Sequence, residues 1–233
     1  MLEQIKEELN KLADPQKAKL LAGFFKTGKG EYGEGDLFMG IMVPNQRIIA
    51  GKFGELSLPD IEELLHSKYH EQRLTALFIL VKKFKKADEK LREKIIKLYL
   101  KNYLYINNWD LVDLSAPRTL GAYLEDKNRT ILFELAKSDN LWKKRIAVLA
   151  TFWFISKGDF TDSLKIAKIL LNDKHDLIHK AVGWMLREIG KRDQEIEEKF
   201  LKTHYRTMPR TMLRYAIEKF SEEKRKFYLN KST

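Results

Sequence analysis

Apolar residues recur along most of this chain at the spacing of one helical face. Leu2, Ile5, Leu9 and Leu12 lie on one side of an N-terminal helix. Asp14-Pro15 ends it and opens a second helix through Ala22-Gly23-Phe24-Phe25, because proline fits a first turn. The period then lapses over Thr27-Gly28-Lys29-Gly30-Glu31-Tyr32-Gly33-Glu34-Gly35-Asp36, the one Gly-rich segment. Leu37-Phe38-Met39-Gly40-Ile41-Met42-Val43 reads by composition as a short strand within a buried apolar connection. Pro44 opens the next helix, through Arg47, Ile48, Ile49 and Phe53. From Ser57 onward the pattern is almost purely helical, with Ser57 as an N-cap and Asp60 in the first turn.

This helical part repeats itself. Arg73, Trp109, Arg145, Lys180 and Arg214 stand at equivalent places, separated by 36, 36, 35 and 34 residues. Helix, turn and helix at that period predict an all-α, curved α-solenoid of HEAT-like repeats, whose second helices line a concave basic groove. At 233 residues the chain can bury its core as a single domain, 1–233.

Charge sharpens the picture. There are 44 basic against 33 acidic residues, a net charge of +11, which favours a polyanionic partner, with nucleic acid ahead of an anionic membrane surface. No cysteine is present, which excludes disulfides, thiol nucleophiles and Cys-ligated zinc or iron–sulfur sites. The amphipathic N-terminus is no signal peptide, and no apolar run reaches the roughly 18 residues of a spanning helix. A cytoplasmic monomer is expected. The Gly-rich segment carries Glu31, Glu34 and Asp36 and lacks the Gly-Lys-Ser/Thr ending of a phosphate cradle, so it reads as a shaped connection. His175 and His179, four apart, lack the following Glu of a metalloprotease helix and read as structural. Neither metal nor cofactor is expected.

Within the repeat phase, the cations Arg73, Arg145, Lys180 and Arg214 suit a phosphate backbone, or are simply solvated. One turn later the phase reads Leu77, Asp113, Leu149, Trp184 and Glu218. Trp142 and the Phe152-Trp153-Phe154 stripe read as core. Trp109 and Trp184 sit where charge otherwise stands, so their rings can meet a sugar or a cationic base. Asp113 repels phosphate, and its placement asks for a reason: a salt bridge to Arg145 or Arg118, or chemistry.

Four segments then resemble the DNA alkylation repair (AlkD-like) family of HEAT-like-repeat DNA glycosylases. They are Gly35-Asp36-Leu37-Phe38-Met39-Gly40 with Pro44 and Arg47; Asn108-Trp109-Asp110-Leu111-Val112-Asp113; Ser138-Asp139-Asn140-Leu141-Trp142-Lys143-Lys144-Arg145; and Lys180-Ala181-Val182-Gly183-Trp184-Met185-Leu186-Arg187-Glu188. The resemblance implies hydrolytic excision of N3- and N7-alkylated purines from double-stranded DNA, without a base-flipping pocket, leaving an abasic site. It implies Asp113 as the catalytic carboxylate, Arg145 as the essential arginine and Trp109 and Trp184 as sugar-facing indoles. Arg73, Lys180, Arg187 and Arg214 would contact DNA. Phe24 falls where some members carry tyrosine and is either a substrate contact or core. Two rival readings remain: a DNA-binding solenoid that has lost excision, and a protein-interaction scaffold.

Overall fold

The computed structural model describes residues 1–230, and these are helical with loops and no strand. They divide into two compact units, Met1–Thr119 and the chain from Leu120 onward.

The first unit holds α1 (Leu2–Asn10), α2 (Pro15–Phe24), α3 (Val43–Lys52), α4 (Leu58–Leu65), α5 (His70–Lys86), α6 (Glu89–Lys101) and α7 (Trp109–Asp113). The long α5 is its centre and packs against α3, α4, α6 and α7. Boundaries follow local chemistry. Asp14 caps α2 by accepting from the amides of Gln16 and Lys17, and Ser57 caps α4 by accepting from Asp60. The segment 37–43 is not a strand. It makes one isolated bridge, Leu37 to Tyr69. Instead of a neighbouring strand, the buried Glu71 carboxylate accepts the amides of Met39 (2.9 Å), Gly40 (2.8 Å) and Ile41 (3.2 Å). Gly40 sits at φ +84°, and a Cβ there would lie 2.1 Å from the Asp14 carbonyl oxygen. Only glycine satisfies both demands.

The second unit holds α8 (Leu120–Tyr123), α9 (Thr130–Ala136), α10 (Leu141–Ser156), α11 (Thr161–Ile169), α12 (Asp176–Gly190), α13 (Gln194–His204), α14 (Arg210–Ala216) and α15 (Glu222–Leu229). It is layered as the repeat requires: α8, α10, α12 and α14 pack in succession, while α9 and α11 form a layer behind them. The predicted α-solenoid pairing of helices is what is observed. Close approach within the layer depends on small residues. A Cβ on Gly183 of α12 would lie 2.4 Å from the Met212 carbonyl oxygen and 2.6 Å from the Tyr215 Cβ on α14. The aromatic stripe expected in the core is there only in part: Trp142 and Phe154 are buried, whereas Phe152 and Trp153 are half-buried.

Candidate active site and nucleic-acid interface

α7 is the unusual element, because the second helix of its repeat stops after five residues. The Ser115 hydroxyl turns back onto the Leu111 carbonyl (2.5 Å), and Pro117 has no N–H to continue the ladder, so a 3-10 turn, Ala116–Arg118, follows. Trp109 and Asp113 are therefore the first and last residues of one short helix. Leu111 and Val112 are buried beneath them, while Trp109 and Asp113 are both half-buried. Buried Asn108 caps the helix by accepting from the Trp109 amide (2.8 Å). The Tyr99 hydroxyl lies 2.9 Å from the Ser115 hydroxyl. Burial raises the Tyr99 pKa, its bond to Ser115 opposes the rise, and the negative charge of Asp113 adds to it.

An aromatic stack fixes the Trp109 ring. Phe25 stacks on it at 5.2 Å and on Phe38 at 5.1 Å, and Phe38 stacks on His70 at 4.7 Å. Phe24 meets Trp109 edge-on at 6.0 Å. At 62% exposed, Phe24 is not core. An apolar cavity of about 140 Å³ lies among Leu21, Phe24, Phe25, Phe38 and Met42. That is below the range of roughly 300–1,000 Å³ usual for small-molecule sites.

Behind the stack lies a buried charge cluster that sequence reasoning missed. His70 Nε2 is 2.8 Å from Asp110 Oδ2, and its Nδ1 is 3.7 Å from Asp36 Oδ2. The same Asp36 oxygen takes Arg73 Nη2 at 2.6 Å, and its other oxygen accepts from Asn107 (3.2 Å). Burial pushes the Asp36 carboxyl upward, but His70 and Arg73 outweigh it and hold the pKa below its ordinary value. Burial likewise opposes a charge on His70, yet the Asp110 and Asp36 carboxylates raise its pKa. The available signal was a run of polar residues, His70-Glu71-Gln72-Arg73, immediately before the mainly apolar stretch 74–81 of the same helix.

Arg73 thus departs from the expected row of solvent-facing cations. It is 3% exposed, paired with Asp36, and donates to the Ser67 carbonyl (3.0 Å). The physical reason is the Asp36 carboxylate, which arrives from the loop and draws the guanidinium inward. Leu77 and Leu149, in the phase one turn later, are also fully buried, so that phase does not mark one solvent-facing line.

In the second unit Arg145 is 4% exposed and donates to the Leu177 carbonyl (2.6 Å) at the head of α12. That position is not an open cation either. Trp184 is half-buried, donates through Nε1 to Glu188 (3.2 Å) and stands 6.0 Å from Phe152. Burial pushes Glu188 up, but Lys191 and Arg192 keep its pKa low. Lys180 pairs with Asp176 at 2.7 Å, Arg187 pairs with Glu218, and Arg214 is exposed.

The Gly-rich loop satisfies its own amides. Glu31 accepts from Gly28 and Glu34 from Gly30, both at 2.8 Å, which leaves carboxylates where a phosphate would need donors. His175 accepts from the Leu177 amide and His179 bonds the Asp173 carbonyl, so both serve the start of α12. No group of three or more His, Cys, Asp or Glu among the described residues has a metal-holding arrangement. No described helix is long and apolar enough to cross a membrane.

The chain is similar to a solved structure described as a predicted DNA alkylation repair enzyme from Enterococcus faecalis. The identity is 16%, the TM-score 0.70, and the match covers 90% of this chain and 97% of the other. At that identity the likeness establishes a shared fold. No curated relative matches the chain. The family model for the DNA alkylation repair enzyme matches residues 5–220. The short helix bearing Trp109 and Asp113, the helical pairs and that nearly complete match lead to one conclusion: this chain belongs to the DNA alkylation repair enzyme family.

Proposed function

We propose that this protein is a monofunctional DNA glycosylase that hydrolyses the N-glycosidic bond of cationic N3- and N7-alkylpurines in duplex DNA. The observation that carries the reading is α7, where a carboxylate and a partly open indole share one five-residue helix. An alkylpurine already bears positive charge and departs without a general acid, so the usual two-carboxylate arrangement reduces to one. As the bond breaks, charge develops on the deoxyribose; Asp113 stabilises it and orients the water that attacks C1′. A unit charge pair at about 4 Å and an effective dielectric of about 20 is worth roughly 4 kcal/mol, or about three decades of rate. Trp109 offers its π face to the same cationic sugar. Trp184 is assigned a sugar contact. Lys180, Arg187 and Arg214 are assigned contacts to phosphate, which for the first two means exchanging a protein carboxylate for a DNA phosphate. Arg145, buried and tied to the Leu177 carbonyl, holds α10 against α12, and its assigned phosphate contact requires exchanging that carbonyl for the phosphate. Phe24, exposed beside Trp109, is assigned contact with the lesion strand. The cavity beneath it is small, which favours recognition from the backbone side over a base pocket.

The test is release of N7-methylguanine from a duplex under single-turnover conditions. Asp113→Asn is expected to lower the rate at least tenfold while duplex affinity stays within about threefold. Equal rates would remove Asp113 from the chemistry. Duplex binding without any release by the wild type would favour a DNA-binding member that has lost excision.

A further inference from the structure

The charge cluster behind the aromatic stack has no part in the chemistry above, yet it adjoins the helix that performs it. The geometry points to His70 as a positioning residue: its ring, clamped between Asp36 and Asp110, fixes α7 and thereby sets Trp109 and Asp113. The inference rests on the glycosylase reading for its consequence in rate, and on the first unit alone for its structure.

Two independent connections run from the ring to α7. One is ionic: Nε2 meets Asp110 at 2.8 Å, on the residue next to Trp109. The other is aromatic: His70 lies under Phe38 at 4.7 Å and Phe25 at 4.8 Å, and Phe25 in turn stacks on Trp109 at 5.2 Å. The charged groups that face the ring come from its own helix, from the loop before α3 and from α7. Asp36 comes from the loop before α3, Asp110 from α7, and Arg73 stands one turn along on α5, neutralising part of the Asp36 charge. Glu71, the next residue, spends its carboxylate on three backbone amides. The ring completes a paired cluster of two acids, Asp36 and Asp110, and two bases, His70 and Arg73. Losing its proton leaves Asp110 buried with a weaker partner. A five-residue helix has little internal stability of its own, so its position depends on such outside contacts.

The sign follows from the direction of the shift. Burial opposes the ring's charge, but Asp110 and Asp36 prevail and raise the folded pKa above that of a free imidazole. The clamp is then complete below the unfolded value and is lost as pH rises through the folded value.

The test measures single-turnover excision and duplex affinity from pH 5.5 to 9.5 for the wild type, Asp110→Asn and His70→Gln. Amide exchange of residues 109–113 is followed in the wild type without DNA. Asp110→Asn is expected to move the alkaline fall in rate down by about one pH unit. His70→Gln is expected to lower the rate at least tenfold at pH 6, with affinity within threefold, and to remove the ring's step from the pH profile, leaving only the dependence that all three proteins share. Ionisation of the substrate base is common to all three proteins and cancels in the comparison. Residues 109–113 should lose exchange protection, beyond the chemical effect of hydroxide, as the ring loses its proton. Identical pH profiles in wild type and Asp110→Asn would overturn the proposal. So would pH-independent protection of α7, a measurement that needs no excision and separates this failure from that of the glycosylase reading. If His70→Gln does not fold, the wild-type exchange and Asp110→Asn profiles decide.

Discussion

Glu197 in α13 offers a quantitative test of the second unit's interior. It is 1% exposed, its Oε1 has no hydrogen-bond partner, and its other oxygen lies where a Cβ on Gly190 would stand. Burial, reinforced by the adjacent Glu198 and opposed by Arg187, raises its pKa from 4.5 to about 8. For a carboxyl with a raised folded pKa, stability is full below the unfolded value and declines as pH rises toward the folded one. At pH 7 the unfolded chain has ionised this group and the folded chain has kept its proton. The separation of about 2.5 pH units, at 1.36 kcal/mol each, costs roughly 3 kcal/mol. Glu197→Gln keeps the shape and removes the ionisation. Urea denaturation of both proteins at pH 4.5, 7 and 9 isolates the term, because every other titrating group is shared. Their difference should move in favour of the variant by about 3 kcal/mol between pH 4.5 and pH 7, and further by pH 9. A difference that stays constant across that range would refute the reasoning.

Gly183→Ala should destabilise by about 2–3 kcal/mol, because its methyl meets the α14 backbone, which cannot step aside like a flexible side chain; thermal unfolding checks this. Asp36→Asn should cost about 3–5 kcal/mol in urea, since Arg73 and His70 stay buried with their shared counter-ion gone. In the wild type that part of the stability should disappear in acid as pH falls through the depressed Asp36 pKa. Duplex affinity should fall by about tenfold or more between 50 and 200 mM salt, and salt-insensitive binding would argue against phosphate contacts.

Much of the architecture was legible along the chain. The 34- to 36-residue period foretold paired helices, and Asp14, Ser57 and Pro44 placed the helix starts, because capping and proline chemistry act over three or four neighbours. Segment 37–43 misled because its composition suits a strand, while its amide partner is one distant carboxylate, Glu71. Repeat phase was a good guide to helix pairing and a poor one to exposure. Arg73 and Arg145 share the phase of the exposed Arg214, yet each is turned inward by an acceptor from elsewhere in its own unit.

The sequence by itself determined an all-helical repeat chain and singled out Trp109 and Asp113, since periodicity and residue type are local properties. Only the tertiary structure decided which cations remain open to a partner and which are consumed within, and it alone disclosed the Asp36–His70–Asp110 clamp behind the Trp109 ring. Those outcomes turn on distances between groups tens of residues apart in sequence, where a shift of a few ångströms separates a solvated charge from a buried pair.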